Sequence, residues 1–138
     1  PCYIGLAKSV IALQTYQNVT NDFSYRSKLR EGTEYMLQHR LFKRMSNDKP
    51  ITPHILDISF PESYHLNAVE LVHFAGNAGL LNDNRTHDLI DHLNSKKTKD
   101  GNWKTSFRYK ADGYMVFDKG RGRNEWLTYV IKTSLNKV

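Results

Sequence analysis

The chain has 138 residues, enough for one ordinary domain with a real core. Its 39% apolar and 25% charged residues exclude a disordered chain, and its short apolar runs exclude a membrane-spanning helix, which needs roughly 20 apolar residues in a row. The net charge is +6, and the single cysteine, Cys2, excludes an internal disulfide and favours a reducing, cytoplasmic setting.

Residues 3–16 read as a first helix, with Ile4, Ala7, Val10, Ile11 and Leu13 at helical spacing. Thr20, Asn21 and Asp22 are capping types and mark a break. A second helix is predicted over 23–44, with Leu29, Met36, Leu37 and Leu41 on one stripe and charged residues elsewhere. Gly32 within it costs about 1 kcal/mol relative to Ala, which a close helix contact would explain. Residues 45–62 form a long connection, stopped by Pro50 and Pro53, with an extended stretch over 55–60.

The most apolar segment follows, over 63–81, and predicts a third helix with Ser63 as a cap. Ala68, Ala75, Gly76, Ala78 and Gly79 allow close packing along it, and Gly79 marks its end. Asn84 caps a fourth helix over 85–96, carrying Leu89, Ile90 and Leu93. The turn Asp100-Gly101-Asn102-Trp103 comes next, then a predicted hairpin over 106–117 around Asp112-Gly113. A last helix covers 124–137.

The positive charge is local. Residues 1–81 hold eight basic and seven acidic residues, whereas the window 96–123 holds nine basic and three acidic ones, which equals the whole net excess. Within that window Lys104, Arg108, Lys110, Arg121 and Arg123 interleave with Trp103, Phe107 and Tyr109. Such interleaving suits single-stranded nucleic acid. It equally suits a diphosphate mouth at the start of the last helix. A solvated loop whose aromatics pack on the domain is the plainer account.

Two parts of the chain echo each other. Residues 36–74 and 93–135 each run through a wet-faced helix, a basic polar turn, an irregular connection and an apolar helix. On this layout, on residues 31–44, on the Asp100-Gly101-Asn102-Trp103 turn and on the helix starts at Cys2-Tyr3-Ile4-Gly5 and Asn124-Glu125-Trp126, the chain resembles bacterial proteins of the prenyltransferase and squalene-oxidase repeat type. These belong to the α/α-toroid superfamily of terpenoid cyclases and protein prenyltransferases. Where the repeat motif has Gln before its Asp-Gly-x-Trp turn, Lys97 stands here.

The resemblance implies an all-α fold, an arc of an α/α toroid with a small β-hairpin insertion. Helices 3–16, 64–81 and 124–137 would be inner, and 23–44 and 85–96 outer. Five helices are too few to close the ring, so residues 1–138 are expected to be a single domain excised from a longer chain, completed by the rest of that chain or by another copy. The implied function is binding of an isoprenoid-like or other apolar ligand, with or without a diphosphate, between inner helices. A structural or interaction domain without catalysis is the alternative, and nucleic-acid binding the third reading.

The implied site residues are Tyr3, Tyr64, His65, Arg121 and Arg123. By the same likeness Cys2 and His65 would be zinc ligands, since each opens an inner helix, and Tyr3 would hold a diphosphate. The plainer account of Cys2 and His65 is a buried thiol and a hydrogen-bonded imidazole. The Asp-x-Asp-Asp acid of class II cyclases does not occur, which argues against cyclisation by this segment, and no catalytic residues are assigned.

Overall fold

A computed structural model describes residues 2–61, 64–107, 112, 113, 115, 117 and 124–137. These residues form five α-helices, α1 Tyr3–Thr20, α2 Arg26–Gln38, α3 Ala68–Asn77, α4 His87–Ser95 and α5 Glu125–Leu135, with a 3₁₀ turn Asn84–Thr86 ahead of α4. No strand occurs among the described residues. The expected hairpin over 106–117 and the Ser63 cap fall largely or wholly outside them.

Helices α1 and α2 make an antiparallel pair. Tyr3 at the start of α1 lies beside His39 and Tyr35 at the end of α2, with ring centroids 4.9 and 6.4 Å away. At the other end Tyr16 meets Tyr25 at 6.2 Å. Between them Gly32 lets the helices approach, because a Cβ there would collide with Val10 Cγ2. The buried stripe of α1 is Tyr3, Ala7, Val10 and Gln14. This helix runs to Thr20, past the expected end at 16, and closes on Asn21 in the left-handed region at φ 56°.

The second helix is shorter than its apolar pattern predicts. It starts at Arg26 because Asp22 accepts hydrogen bonds from the Ser24 backbone (2.9 Å) and hydroxyl (2.5 Å), which hold a turn ahead of it. It ends at Gln38, since Arg40 and Leu41 both take positive φ and fold back, with Leu41 N–H donating to Met36 C=O at 2.9 Å. The reversal carries Leu41 and Phe42 into the core. The chain then returns through a bridge between Lys43 and Pro50.

The third helix also starts later than predicted, at Ala68 instead of 64. Fully buried Asn67 is its cap: its side-chain oxygen accepts from Val69 and Glu70 N–H at 3.0 and 3.1 Å, and its amide donates to Ser59. Gly79, at φ +67°, follows the helix end as expected. Helix α3 packs on α5 and on α4. Its approach to α5 is at backbone distance, because a Cβ at Gly76 would sit 2.5 Å from the Ser134 carbonyl oxygen. Lys137 donates to Asn77 at the same end, so the C-termini of α3 and α5 are level. On the other side Lys8 of α1 pairs with Glu70 of α3 at 2.5 Å.

Trp103 fixes the turn between α4 and α5. Its indole N–H donates to Leu93 C=O at 2.7 Å, its backbone N–H donates to Thr128 Oγ1 at 3.1 Å, and the ring is 1% exposed. The cap before α4 is Asp83, not Asn84, as it accepts from Arg85 N–H at 2.9 Å. Arg85 joins Asp83 (2.8 Å) to Glu34 of α2 (2.7 Å), and Asp88 of α4 joins Arg40 (2.9 Å) and Lys43 (2.8 Å).

Two predictions follow from these contacts. Gly32→Ala and Gly76→Ala should each destabilise by about 1–3 kcal/mol in urea unfolding, although Ala is the better helix former. Adding Val10→Ala should restore the first variant, because its obstacle is one methyl group. No side-chain truncation should restore the second, because its obstacle is backbone. Acid stability is the second test. Hydrogen bonds from the Arg85 guanidinium and backbone lower the Asp83 pKa from 3.8 to about 2. A carboxyl depressed in the folded state stabilises above its ordinary pKa, and that contribution is lost as pH falls through about 2. Asp83→Asn should therefore flatten the pH dependence of the unfolding midpoint between pH 4 and 2 and leave its slope near neutrality unchanged.

Candidate functional site: an aromatic rim

The start of α3 and the start of α5 share one edge of the molecule with the connection that precedes α3. Ser106 pairs with Ile58 there: Ser106 N–H donates to Ile58 C=O at 2.8 Å, and Ile58 N–H donates to the Ser106 hydroxyl at 2.7 Å. Ile58 is buried, so this pairing is anchored in the core. Phe60 and Phe107 follow these two residues in the chain.

From these two residues run two rows of rings. One is Phe107–His54–His65–Tyr64, with successive centroids 4.7, 5.2 and 5.7 Å apart. The other is Phe60–Phe117–Trp126, with both steps 5.8 Å and near edge-to-face. The rows are solvent-facing: Tyr64 is 89% exposed, Trp126 56% and Phe117 54%. One helical turn beyond Trp126, Tyr129 is also exposed. It borders an open cleft of about 540 Å³ lined by Asp100, Asn102, Asn124, Glu125 and Thr128 as well. This exposed aromatic surface on one edge of a small domain is the candidate site.

The polar member of the first row is held in place. His54 Nδ1 lies 2.8 Å from Asp57 Oδ2, three residues along the same turn. An ionised carboxylate only accepts, so the imidazole donates from Nδ1, and neutral His54 carries its lone pair on Nε2. Below this turn His92 Nε2 donates to Leu56 C=O at 3.0 Å and ties it to α4.

The residues singled out from the sequence are distributed as follows. Tyr64 and His65 are neighbours on the rim, ahead of α3 and not within its first turn. Tyr3 is buried, and its hydroxyl donates to Leu41 C=O; burial pushes its pKa well up, so it stays protonated. Cys2 is exposed at the cap position of α1. Arg121 and Arg123 lie outside the described residues. Among the described residues no three His, Cys, Asp or Glu side chains converge as a metal cage. Sequence reasoning missed His54 and Asp57. Their signal was the His-x-x-Asp spacing between Pro53 and Phe60, which puts two polar side chains on one side of a single turn. Comparison with protein-family models, with curated proteins and with solved structures gives no match.

Proposed function

We propose that the chain is an arc of an α/α toroid, of the terpenoid-cyclase and protein-prenyltransferase kind, and that its aromatic rim receives an isoprenoid-like or other apolar ligand. The observation that carries this reading is the pair of exposed ring rows at the N-terminal ends of α3 and α5. Covering one such ring with an apolar chain is worth about 1.5–3 kcal/mol. Ring faces offer a branched, unsaturated chain good contact with little ordering of the protein. The packing of α3 on both α5 and α4, and of α1 on α2, supports the arc.

A structural or interaction domain is the second reading, and α1 favours it. Lys8 is the one charged residue in its 18, and Ala12, Tyr16 and Val19 are exposed. Sedimentation equilibrium separates the readings. If association is the function, the wild type should dimerise at micromolar concentration and Val19→Asp should remain monomeric.

The ligand reading is tested by fluorescence. Trp126 is 56% exposed and Trp103 is buried, so a ligand on the rim should shift the emission of Trp126 to the blue. Farnesol should do so saturably, and Phe60→Ala with Phe117→Ala, which keep Trp126 as the reporter, should weaken it about tenfold, which is 1.4 kcal/mol. Farnesyl diphosphate run in parallel reads whether a diphosphate adds affinity. No shift with either compound, or equal affinity in the double variant, would overturn the reading.

A further inference from the structure

We propose that a cleft between α1, α2 and the end of α3 binds a small phosphorylated, hydroxyl-rich molecule, with Arg26 and Arg30 on the phosphate and Gln14 on the body. The cleft has a volume of about 310 Å³, and Gln14, Gln17, Arg26, Arg30, Thr33 and Asn77 are among the residues that line it. It lies at the C-terminal end of α3, away from the aromatic rim. The inference therefore does not rest on the apolar-ligand reading.

The two arginines stand one turn apart on α2 and also border a second opening of about 380 Å³. Neither guanidinium has a hydrogen-bond or ion-pair partner among the described residues. The carboxylates of the same stretch are turned elsewhere. Asp22 accepts from the Ser24 and Tyr16 hydroxyls, Glu31 pairs with Lys28 at 3.2 Å, and Glu34 pairs with Arg85 at 2.7 Å. Side chains four apart on a helix have Cβ atoms about 5–6 Å apart, so two guanidinium forks can close on one phosphate. Lys137 donates to Asn77 and brings a third cation to this end of α3.

Exposed arginines alone would not make a site. Gln14 is the independent observation. It is only 8% exposed, it lines the cleft, and its amide makes no hydrogen bond to a described residue. It continues the buried stripe Tyr3, Ala7 and Val10 of α1, where the pattern calls for an apolar side chain. A buried amide left without a partner costs about 1–3 kcal/mol. An amide kept at that position and set against a cleft fits a ligand that both donates and accepts. Gln17 and Thr33 extend the same kind of lining. Hydroxyl groups on the ligand body satisfy all three, and the volume, at the small end for ligand sites, suits a molecule of sugar-phosphate size.

The test is calorimetric titration of the full chain with ribose 5-phosphate, beside inorganic phosphate, ribose and gluconate. Ribose 5-phosphate should bind saturably with one equivalent. Inorganic phosphate and gluconate should bind more weakly, the first for want of a body and the second for want of charge, and ribose should not bind. Arg26→Gln and Arg30→Gln should each weaken ribose 5-phosphate by about tenfold, the loss of a hydrogen bond to a charged group. Gln14→Met, similar in length, should weaken ribose 5-phosphate but not inorganic phosphate, and should not lower the urea midpoint. Lys49→Gln, an exposed charge elsewhere, should bind as the wild type does. No saturable binding by the wild type, wild-type affinity in both arginine variants, or equal weakening in Lys49→Gln would overturn the proposal. So would gluconate binding as tightly as ribose 5-phosphate, or a Gln14→Met variant that loses stability and keeps its affinity.

Discussion

The close approach of α3 to α5 at Gly76 is the constraint on which the rest of the structure depends. With no side chain at that position, the α3 backbone reaches the Ser134 carbonyl, and the two helices lie against each other with their C-terminal ends level. The buried row Ala68, Val69, Leu71, Val72, Phe74 and Ala75 then fills the space towards α4 and the return at Leu41. Fixing the C-terminal ends also fixes the N-terminal ones. The rim is the exposed consequence: Tyr64 and His65 ahead of α3 and Trp126 at the start of α5 arrive on one edge because their helices run together.

What could be read in the sequence follows from how local each signal is. The apolar run of α3, the small residues along it and the end at Gly79 are local, and they stand in the structure as expected. Gly32 was legible as a cost that needed a close contact, and Val10 supplies it. The start of α3 was not legible, because Asn67 is made a good cap by Ser59, eight residues upstream and outside the helix. The end of α2 was hidden for a related reason. Arg40 and Leu41 adopt positive φ without glycine, held there by burial of Leu41. Tertiary packing overrides local preference at both places. The likeness to α/α toroids places Tyr64 and His65 at the start of a helix, whereas α3 starts four residues later, at Ala68, and both lie ahead of its Asn67 cap.

The Asp100-Gly101-Asn102-Trp103 turn shows why one motif can be structural. Gly101 takes φ +76°, which a side chain disfavours, and this lets the chain double back so that Thr98 N–H reaches Asn102 C=O. The indole is thereby aimed into the core, where Leu93 C=O accepts from its N–H, and Thr128 Oγ1 accepts from the Trp103 backbone N–H. Lys97 places its ammonium 5.3 Å from the ring centroid, a cation–π contact over the indole.

The two halves of the molecule are joined by an apolar core and by ion pairs, which do different work. Tyr3, Ala7, Val10, Met36 and Leu37 of the α1–α2 pair, with the return at Leu41 and Phe42, belong to the same hydrophobic cluster as the buried faces of α3, α4 and α5. Around it lie ion pairs: Lys8 with Glu70, Glu34 with Arg85, and Asp88 with Arg40 and Lys43. Pairs as exposed as Glu34–Arg85 contribute at most about 1 kcal/mol each. They cannot supply the adhesion, which comes from the shared apolar core. Their role is register, because a charge pair is satisfied at one setting and an apolar surface at several.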